Sequence, residues 1–435
     1  MLALFLFVGI LYTVRLRGFA IFGIAAWWRA TVGSLTAKRG ATGEKTEGRG
    51  ISSFQSACTA LAATIGTGNI AGVATALLAG GPGAIFWMWV SAVLGMATAY
   101  AETELGIHYR RRDRDGNWIS GAMVYLESGL GCRWLAVIYA FFCMTASFGM
   151  GSMVQANAIS ETFEFAFSMP PALIGLVLTA MAGKVIAGGA ESIARTAEKM
   201  VPFSAAVYIF ASVAVIWLFR DRVPNVFQTI FQDAFSFDSA AGGIIGFTVS
   251  DCVRFGIARG VFSNEAGLGS MAALNGGTDC AEPSVQGQWA IFEVFFDTLV
   301  CCTLTAVVIL CAAGDELSAF HDNGAALTNI CFTRGLGYLG GYAVSVSTAL
   351  FAFATIIAWY YMGKQAVTYL GETAGLHVTP LYMGGYLLSI FLGSLGPMET
   401  VWEISDIFNG MMAIPNLLAL ILLIPKVQRP GKKGS

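Results

Sequence analysis

The sequence predicts an all-α integral membrane protein of about eleven transmembrane helices, with one extra N-terminal helix ahead of two groups of five that cross the membrane in opposite senses. Three observations predict it. The composition is 56% hydrophobic and only 12% charged, against roughly 25% charged in ordinary globular domains. Apolar runs long enough to cross a hydrocarbon core of ~30 Å recur from end to end. Two glycine-rich interruptions, Gly66-Thr67-Gly68-Asn69-Ile70-Ala71-Gly72 and Gly260-Val261-Phe262-Ser263-Asn264-Glu265-Ala266-Gly267, fall inside such runs in the two halves of the chain, and both contain Asn-x-Ala-Gly. A helix interrupted at membrane depth persists only where it is buried in protein or lines a cavity. A matched pair in the two halves points to a transporter's binding site.

The elements follow in order. Residues 1–53 hold a short apolar helix, an interfacial stretch and a polar loop. The opening run Leu2 to Val14 lacks the basic start and small-residue cleavage site of a signal peptide, is short for a span, and reads as a helix without its first turns. Residues 18–35 place Trp27, Trp28 and Arg29 at headgroup level. A polar loop opens at Lys38 and Arg39 and runs to Ser53. Residues 54–425 form one transporter core. Its first repeat, about 54–219, has spans at 54–80, 84–109, 134–165, 172–189 and 201–219. Its second, about 241–424, has spans at 241–275, 286–313, 341–370, 378–395 and 401–424. Residues 426–435 form a tail.

The basic residues set the orientation, because cytoplasmic loops are enriched in Lys and Arg. If the first helix enters from outside, twenty of the 25 fall inside, among them Lys38, Arg39, Lys45, Arg49, Lys184, Arg195, Lys199, Lys364, Lys432 and Lys433. Only Arg220, Arg222 and Arg334 fall outside, while Arg254 and Arg259 lie within a span. The C-terminus is then cytoplasmic. Five being odd, the two groups are inverted, and the interrupted helices, first in each group, meet near the midplane.

Several classes are excluded. Nine cysteines, Cys58, Cys132, Cys143, Cys252, Cys280, Cys301, Cys302, Cys311 and Cys331, lie mostly in apolar runs without a CxxC pattern and read as small buried hydrophobes. His108, His321 and His377 stand too far apart in sequence for a metal enzyme. No Gly-x-x-x-x-Gly-Lys-Ser/Thr loop serves an ATP-driven pump, and no nucleic-acid signature is present.

Within the first break, Gly66, Gly68 and Gly72 loosen the helix while Thr64, Thr67 and Asn69 add polar side chains. An unwound helix frees carbonyls at the end of its first half and N–H groups at the start of its second, so it can ligate a cation and cradle a carboxylate. The same small residues also suit close helix packing. In the second break, Arg259 and Glu265 read as a structural pair across the unwound turn or as a gate, and Asp251 with Arg254 as a local i, i+3 pair near the outer interface. Ser147, Gly151 and Gln155 line one helical face, with an amide suited to a zwitterion or to helix packing. Thr348, Ala352, Thr355 and Trp359 line another, where Thr355 offers an oxygen to a hard cation and Trp359 can wall an apolar pocket. Glu293 and Asp297 sit one turn apart with no nucleophile beside them, and Glu102 and Glu104 are expected at the cytoplasmic interface facing Arg110 to Arg112. All four read as structural or coupling residues.

The stretches Thr67 to Ala76, Gly80-Gly81-Pro82-Gly83-Ala84-Ile85-Phe86-Trp87-Met88-Trp89, Arg259 to Ser270 and Phe296-Asp297-Thr298 resemble the alanine or glycine:cation symporter family, over nearly the whole chain. The resemblance implies a multi-pass carrier of the prokaryotic plasma membrane with a LeuT-like 5+5 inverted repeat, moving alanine or glycine with sodium. It implies substrate contacts at Thr67, Gly68, Asn69, Gln155, Phe262, Asn264 and Trp359. It implies sodium ligands at the Ala62, Ile65 and Phe351 carbonyls and the Thr355 hydroxyl. The sequence departs from the family after Ser270, where Met271-Ala272 and Asn275 replace the usual Ala-Pro and His-containing stretch. The expected function is sodium-coupled symport of a small neutral amino acid, with lipid as surroundings, no cofactor beyond the coupling ion, and a monomer sufficient. A proton-coupled carrier is the alternative, with Glu265 as its obvious titratable group.

Overall fold

The computed structural model describes residues 1–36, 51–235, 248–319, 324–396 and 399–431. Lys38, Arg39, Lys45, Arg49, His321, Lys432 and Lys433, and the expected start of the second repeat at 241–247, lie outside the described residues.

Both broken helices begin the same way. Ser52 and Gln55 form a capping box ahead of Ser53–Thr64, and Thr248 and Asp251 form one ahead of Val249–Asn264. Each box satisfies backbone donors that a helix start leaves bare. The second corrects an expectation: Asp251 accepts from Thr248 N and Oγ1 at 3.2 and 2.6 Å, while the Arg254 guanidinium lies over the Phe255 ring at 5.4 Å.

Among the described residues, six helices are long and apolar enough to cross a membrane, and Ser53–Thr64 with Gly68–Gly80, bent by 49°, makes a seventh if counted as one span. Leu2–Arg15 and Pro171–Ala187 are shorter apolar helices. The helix expected at 201–219 starts at Gly189, with only Gly188 between it and the end of Pro171–Ala187. Its first turns carry Glu191 and Arg195, paired i, i+4 at 2.5 Å. That surface ion pair is what made a helical segment read as a polar loop. Three helices between spans, Ala122–Ser128, Val223–Asp233 and Gly324–Leu336, are too short for a span-length window to find.

The centre of the protein is Tyr338–Ala374, a 37-residue helix that packs against Ser53–Thr64, Val154–Phe167 and Gly189–Leu218. Large apolar side chains such as Phe203, Phe210, Trp217 and Leu381 stay exposed on the perimeter, as lipid permits and water does not. All nine cysteines are free thiols and seven are buried, matching their reading as small hydrophobes. The N-terminal helix packs on Gly83–Tyr109 and Glu399–Leu422, with Tyr12 Oη donating to the Leu420 carbonyl at 2.7 Å. Trp27 is buried in protein rather than set among headgroups, its Nε1 donating to the Ala20 carbonyl at 3.1 Å and its ring 5.5 Å from that of Phe295. Trp28 alone of that pair is exposed.

Glu102 and Glu104 also depart from expectation. Both are buried, and neither meets an arginine of the Arg110–Arg112 cluster. Arg110 donates to the carbonyls of Gly276, Thr278 and Cys280, Arg111 bridges Glu372 at 2.6 Å, and Arg112 stacks on Trp118. Glu104 accepts from Gln428 N, which anchors the tail.

Candidate transport site

The first break opens where Ile65 turns extended, with φ −79° and ψ 95°. The Gly66 N–H, which in an unbroken helix would close on Ala62, donates instead to Asn69 Oδ1 at 3.0 Å. The chain then makes one π-helical turn, Gly68–Gly72, and resumes as Val73–Gly80. Such turns concentrate at functional sites.

Freed in this way, the Ala62 carbonyl lies 2.8 Å from Thr355 Oγ1, which also has the Ile65 carbonyl at 3.5 Å and the Phe351 carbonyl at 3.0 Å. All four residues are buried. The four oxygens named from the family resemblance therefore converge. A threonine hydroxyl carries one proton and cannot serve three carbonyls at once. Oxygen lone pairs in excess of protons are what a hard cation seeks, so the donor set fits sodium.

The second break is built differently. Val249–Asn264 ends at Glu265 in the left-handed region, φ 56°, and the next helix, Ser270–Asn275, starts after Gly267 and Gly269 at φ 96° and 83°. Side chains hold the interval. Glu102 Oε1 accepts from Gly269 N at 3.1 Å, Asn416 Nδ2 donates to the Gly267 carbonyl at 2.9 Å, and Tyr139 Oη donates to the Leu268 carbonyl at 3.2 Å. Glu265 does not pair with Arg259. Its Oε1 accepts from Trp359 Nε1 at 3.0 Å, whereas Arg259 approaches Asp406 at 3.9 Å and lies over the Phe262 ring.

One carboxylate joins the breaks. Asp297, in the π-helical turn Phe295–Cys302, accepts from Asn69 Nδ2 at 2.7 Å on one oxygen and from Ser263 Oγ and Thr298 Oγ1 at 2.8 Å on the other. Asn264 Nδ2 completes the set by donating to Thr298 Oγ1 at 3.1 Å. The two asparagines of the shared motif thus both reach the same turn. Asp297 carries more than its sequence reading gave it, and Ser263 and Thr298 went unmarked there. The available signal was an acid with no base nearby in an apolar run, which in a membrane must find donors.

The other expected contacts surround the first break. Gln155 donates from Nε2 to the Met150 carbonyl at 3.2 Å, and its Oε1 stands 3.4 Å from where a Cβ on Gly66 would sit. Thr67 is buried between the two glycines. A Cβ on Gly68 would lie 3.4 Å from Ser263 Cα and 3.5 Å from the Phe262 ring. Phe262 stacks on Trp402 with centroids 5.9 Å apart. Trp359 is buried against Gly151, whose missing side chain gives the indole room. Ser147 is drawn away from the group by Tyr382 at 2.8 Å, and Thr348 bonds its own helix.

Two interrupted helices facing each other in an apolar bundle, with a cation-suited oxygen cluster on one and a buried carboxyl on the other, define a secondary transporter rather than an enzyme. The fold is similar to that of MhsT, solved in complex with L-phenylalanine: the TM-score is 0.60 at 13% identity, covering 86% of this chain and 90% of that one. The pattern of the sodium:alanine symporter family matches residues 1–433, and the chain belongs to that family. It is 42% identical over 378 residues to the sodium/alanine symporter AgcS of Methanococcus maripaludis, covering 86% of this chain and 82% of the relative. An uncharacterized transporter of Haemophilus influenzae is 43% identical over 376 residues, covering 85% and 81%.

Proposed function

We propose that this chain is a sodium-coupled symporter that carries a small neutral amino acid, alanine or glycine, into the cell by alternating access. The reading takes about eleven spans, one N-terminal helix and two inverted groups of five, in a prokaryotic plasma membrane with a cytoplasmic C-terminus. The excess of basic residues on one side supports that topology. The 42% identity to a sodium/alanine symporter supports the cargo.

The observation that carries the proposal is the approach of Thr355 Oγ1 to the Ala62, Ile65 and Phe351 oxygens at the first break. Sodium occupies that cluster in the proposal. The substrate carboxylate meets backbone N–H groups of Thr67, Gly68 and Asn69, where the second half-helix starts. Gln155 and the backbone at Asn264 take the polar end, while Phe262 and Trp359 wall the side chain. Asn69 and Asn264 act through their backbones, because their amides are engaged with Asp297 and Thr298. Sodium binding fixes the bend of the first break, which presents those N–H groups in register for the carboxylate.

Uptake of labelled alanine into proteoliposomes tests this directly. Replacing sodium by choline abolishes uptake, and Thr355→Ala raises the sodium concentration for half-maximal uptake more than tenfold without lowering the amount of folded protein. An unchanged sodium dependence removes Thr355 from the site. One observation favours a second reading: Glu265 is a buried carboxyl at the second break, as proton coupling requires. Uptake driven by an imposed proton gradient in the absence of sodium would select it.

A further inference from the structure

We propose that Glu265 is the counter-ion for the ammonium group of the transported amino acid. The assignment rests on the amino-acid carrier reading above and adds to it the residue that separates amino acids from other small carboxylates.

Glu265 is 1% exposed, and its two oxygens have different fates. Oε1 accepts from Trp359 Nε1, whereas Oε2 makes no hydrogen bond among the described residues, and the Ser270 hydroxyl lies beside the carboxyl. Among the described residues no lysine, arginine or histidine pairs with it, and the arginine nearest in sequence, Arg259, is engaged by Asp406. A carboxylate held inside a membrane protein without a base is costly unless it takes up a proton or meets a cationic partner. The Trp359 bond ties the group to the helix that carries Thr355 one turn earlier.

Two further buried acceptors belong to those residues. Gln155 Oε1 and Thr67 Oγ1 are each without a hydrogen-bond partner. They come from different elements, the helix that follows Ser147–Met153 and the first break, and Gln155 Oε1 faces Gly66. An ammonium donates three hydrogen bonds with a fixed tetrahedral spread. Two neutral oxygens and one carboxylate oxygen, drawn from three elements, match that demand in number and charge. A sodium ion already has its own four oxygens at Thr355 and does not need them.

Glu102 and Glu293 also keep one oxygen each without a partner. Their other oxygens explain why they are not candidates. Glu102 holds Gly269 N and Asn416, and Glu293 holds Asn275, which is bonded in turn to Gln286. Neither touches an expected substrate residue, and Glu265 does.

Equilibrium binding of alanine to the purified protein, with propionate as a competitor that shares the methyl and carboxylate but has no amino group, tests the assignment. Glu265→Gln keeps an acceptor for Trp359 and loses the charge. The expected result is at least a tenfold loss of alanine affinity with propionate affinity unchanged, so that the preference for alanine collapses. Thermal stabilisation by sodium stays as in the wild type, because the cation cluster is untouched. Glu265→Asp, which retains the charge on a shorter arm, recovers part of the loss and stands in if the amide variant does not fold. Alanine affinity within twofold of wild type in Glu265→Gln overturns the assignment, as does an equal loss for alanine and propionate in either variant. Retained affinity with loss of proton-driven uptake also overturns it and gives Glu265 to a proton. Wild-type protein that binds neither alanine nor glycine overturns the carrier reading itself, a distinct outcome.

Discussion

The two breaks share a motif and solve different problems. The first deviates from helical geometry for only a few residues before its π-helical turn, and its active groups are backbone oxygens turned toward Thr355. The second is a true gap, with left-handed residues at Glu265, Gly267 and Gly269, and its notable groups are the side-chain carboxylates of Glu102 and Glu265. Their glycines differ accordingly. Gly66 is required by space: a Cβ there would stand 2.7 Å from Thr355 Oγ1. Gly269 is required by conformation as well, since its φ is 83° and a Cβ would meet Tyr139 Oη at 2.6 Å. A backbone site suits an ion without directional bonds, and a carboxylate site suits a partner that carries charge.

The largest expected effect comes from removing what joins the two. Asp297→Ala removes the carboxylate to which Asn69, Ser263 and Thr298 all donate; Asn69 keeps the residue 297 carbonyl, while a buried donor left unmet costs roughly 1–3 kcal/mol. Thermal unfolding in detergent should show a loss of several kcal/mol together with loss of alanine binding. Gly269→Ala comes next. Left-handed backbone costs a residue with a Cβ about 1–2 kcal/mol, and the clash adds to it, so the folded fraction falls while the protein that does fold keeps normal sodium dependence.

Gly66→Ala should show the opposite profile. The new Cβ displaces Thr355 Oγ1, so the sodium concentration for half-maximal uptake rises about tenfold, equivalent to ~1.4 kcal/mol, and that shift outweighs the loss of folded protein. If Gly66→Ala and Gly269→Ala behave alike, the contrast between the breaks is wrong. Smaller still is the pair Gly68→Val and Gly72→Ala. Branching at Gly68 presses on Phe262 and weakens alanine binding several-fold, whereas a Cβ on Gly72 would meet nothing nearer than the Thr67 carbonyl at 4.0 Å and should leave binding within twofold. Equal losses at both would turn this glycine cluster into a packing face.

The breaks were legible because clustered glycines at matching places in two apolar runs, and charge at membrane depth, each demand a reason. Most spans were legible for the same cause, length and apolarity being all a bilayer requires. The oxygens around Thr355 came from family resemblance, since nothing in a stretch such as Ala-Leu-Phe-Ala-Phe-Ala-Thr marks which carbonyls a neighbour will approach. The wrong partners share a pattern. Arg259 with Glu265 and Glu102 with the arginines after it were both paired with charges close in sequence. The fold instead sent Arg259 to Asp406 and Glu102 to Asn416. Asp297 and Asn69 stand 228 residues apart, and no local rule reaches that far.

The Asp297 junction limits how the molecule can move. Parting the two breaks would strip a buried carboxylate of donors from both, and hydrogen bonds to charged groups contribute about 1.5–3 kcal/mol each. Losing the Asn69 and Ser263 bonds alone then makes any separated arrangement roughly a hundred-fold rarer or more. In mechanical terms, the two half-sites count as a single body with no hinge between them. Under the proposed alternating access, the gates to either side of the membrane are then opened by helices that swing past this body, and the proposed ion and amino acid would ride on a common stationary axle while the frame turns around them.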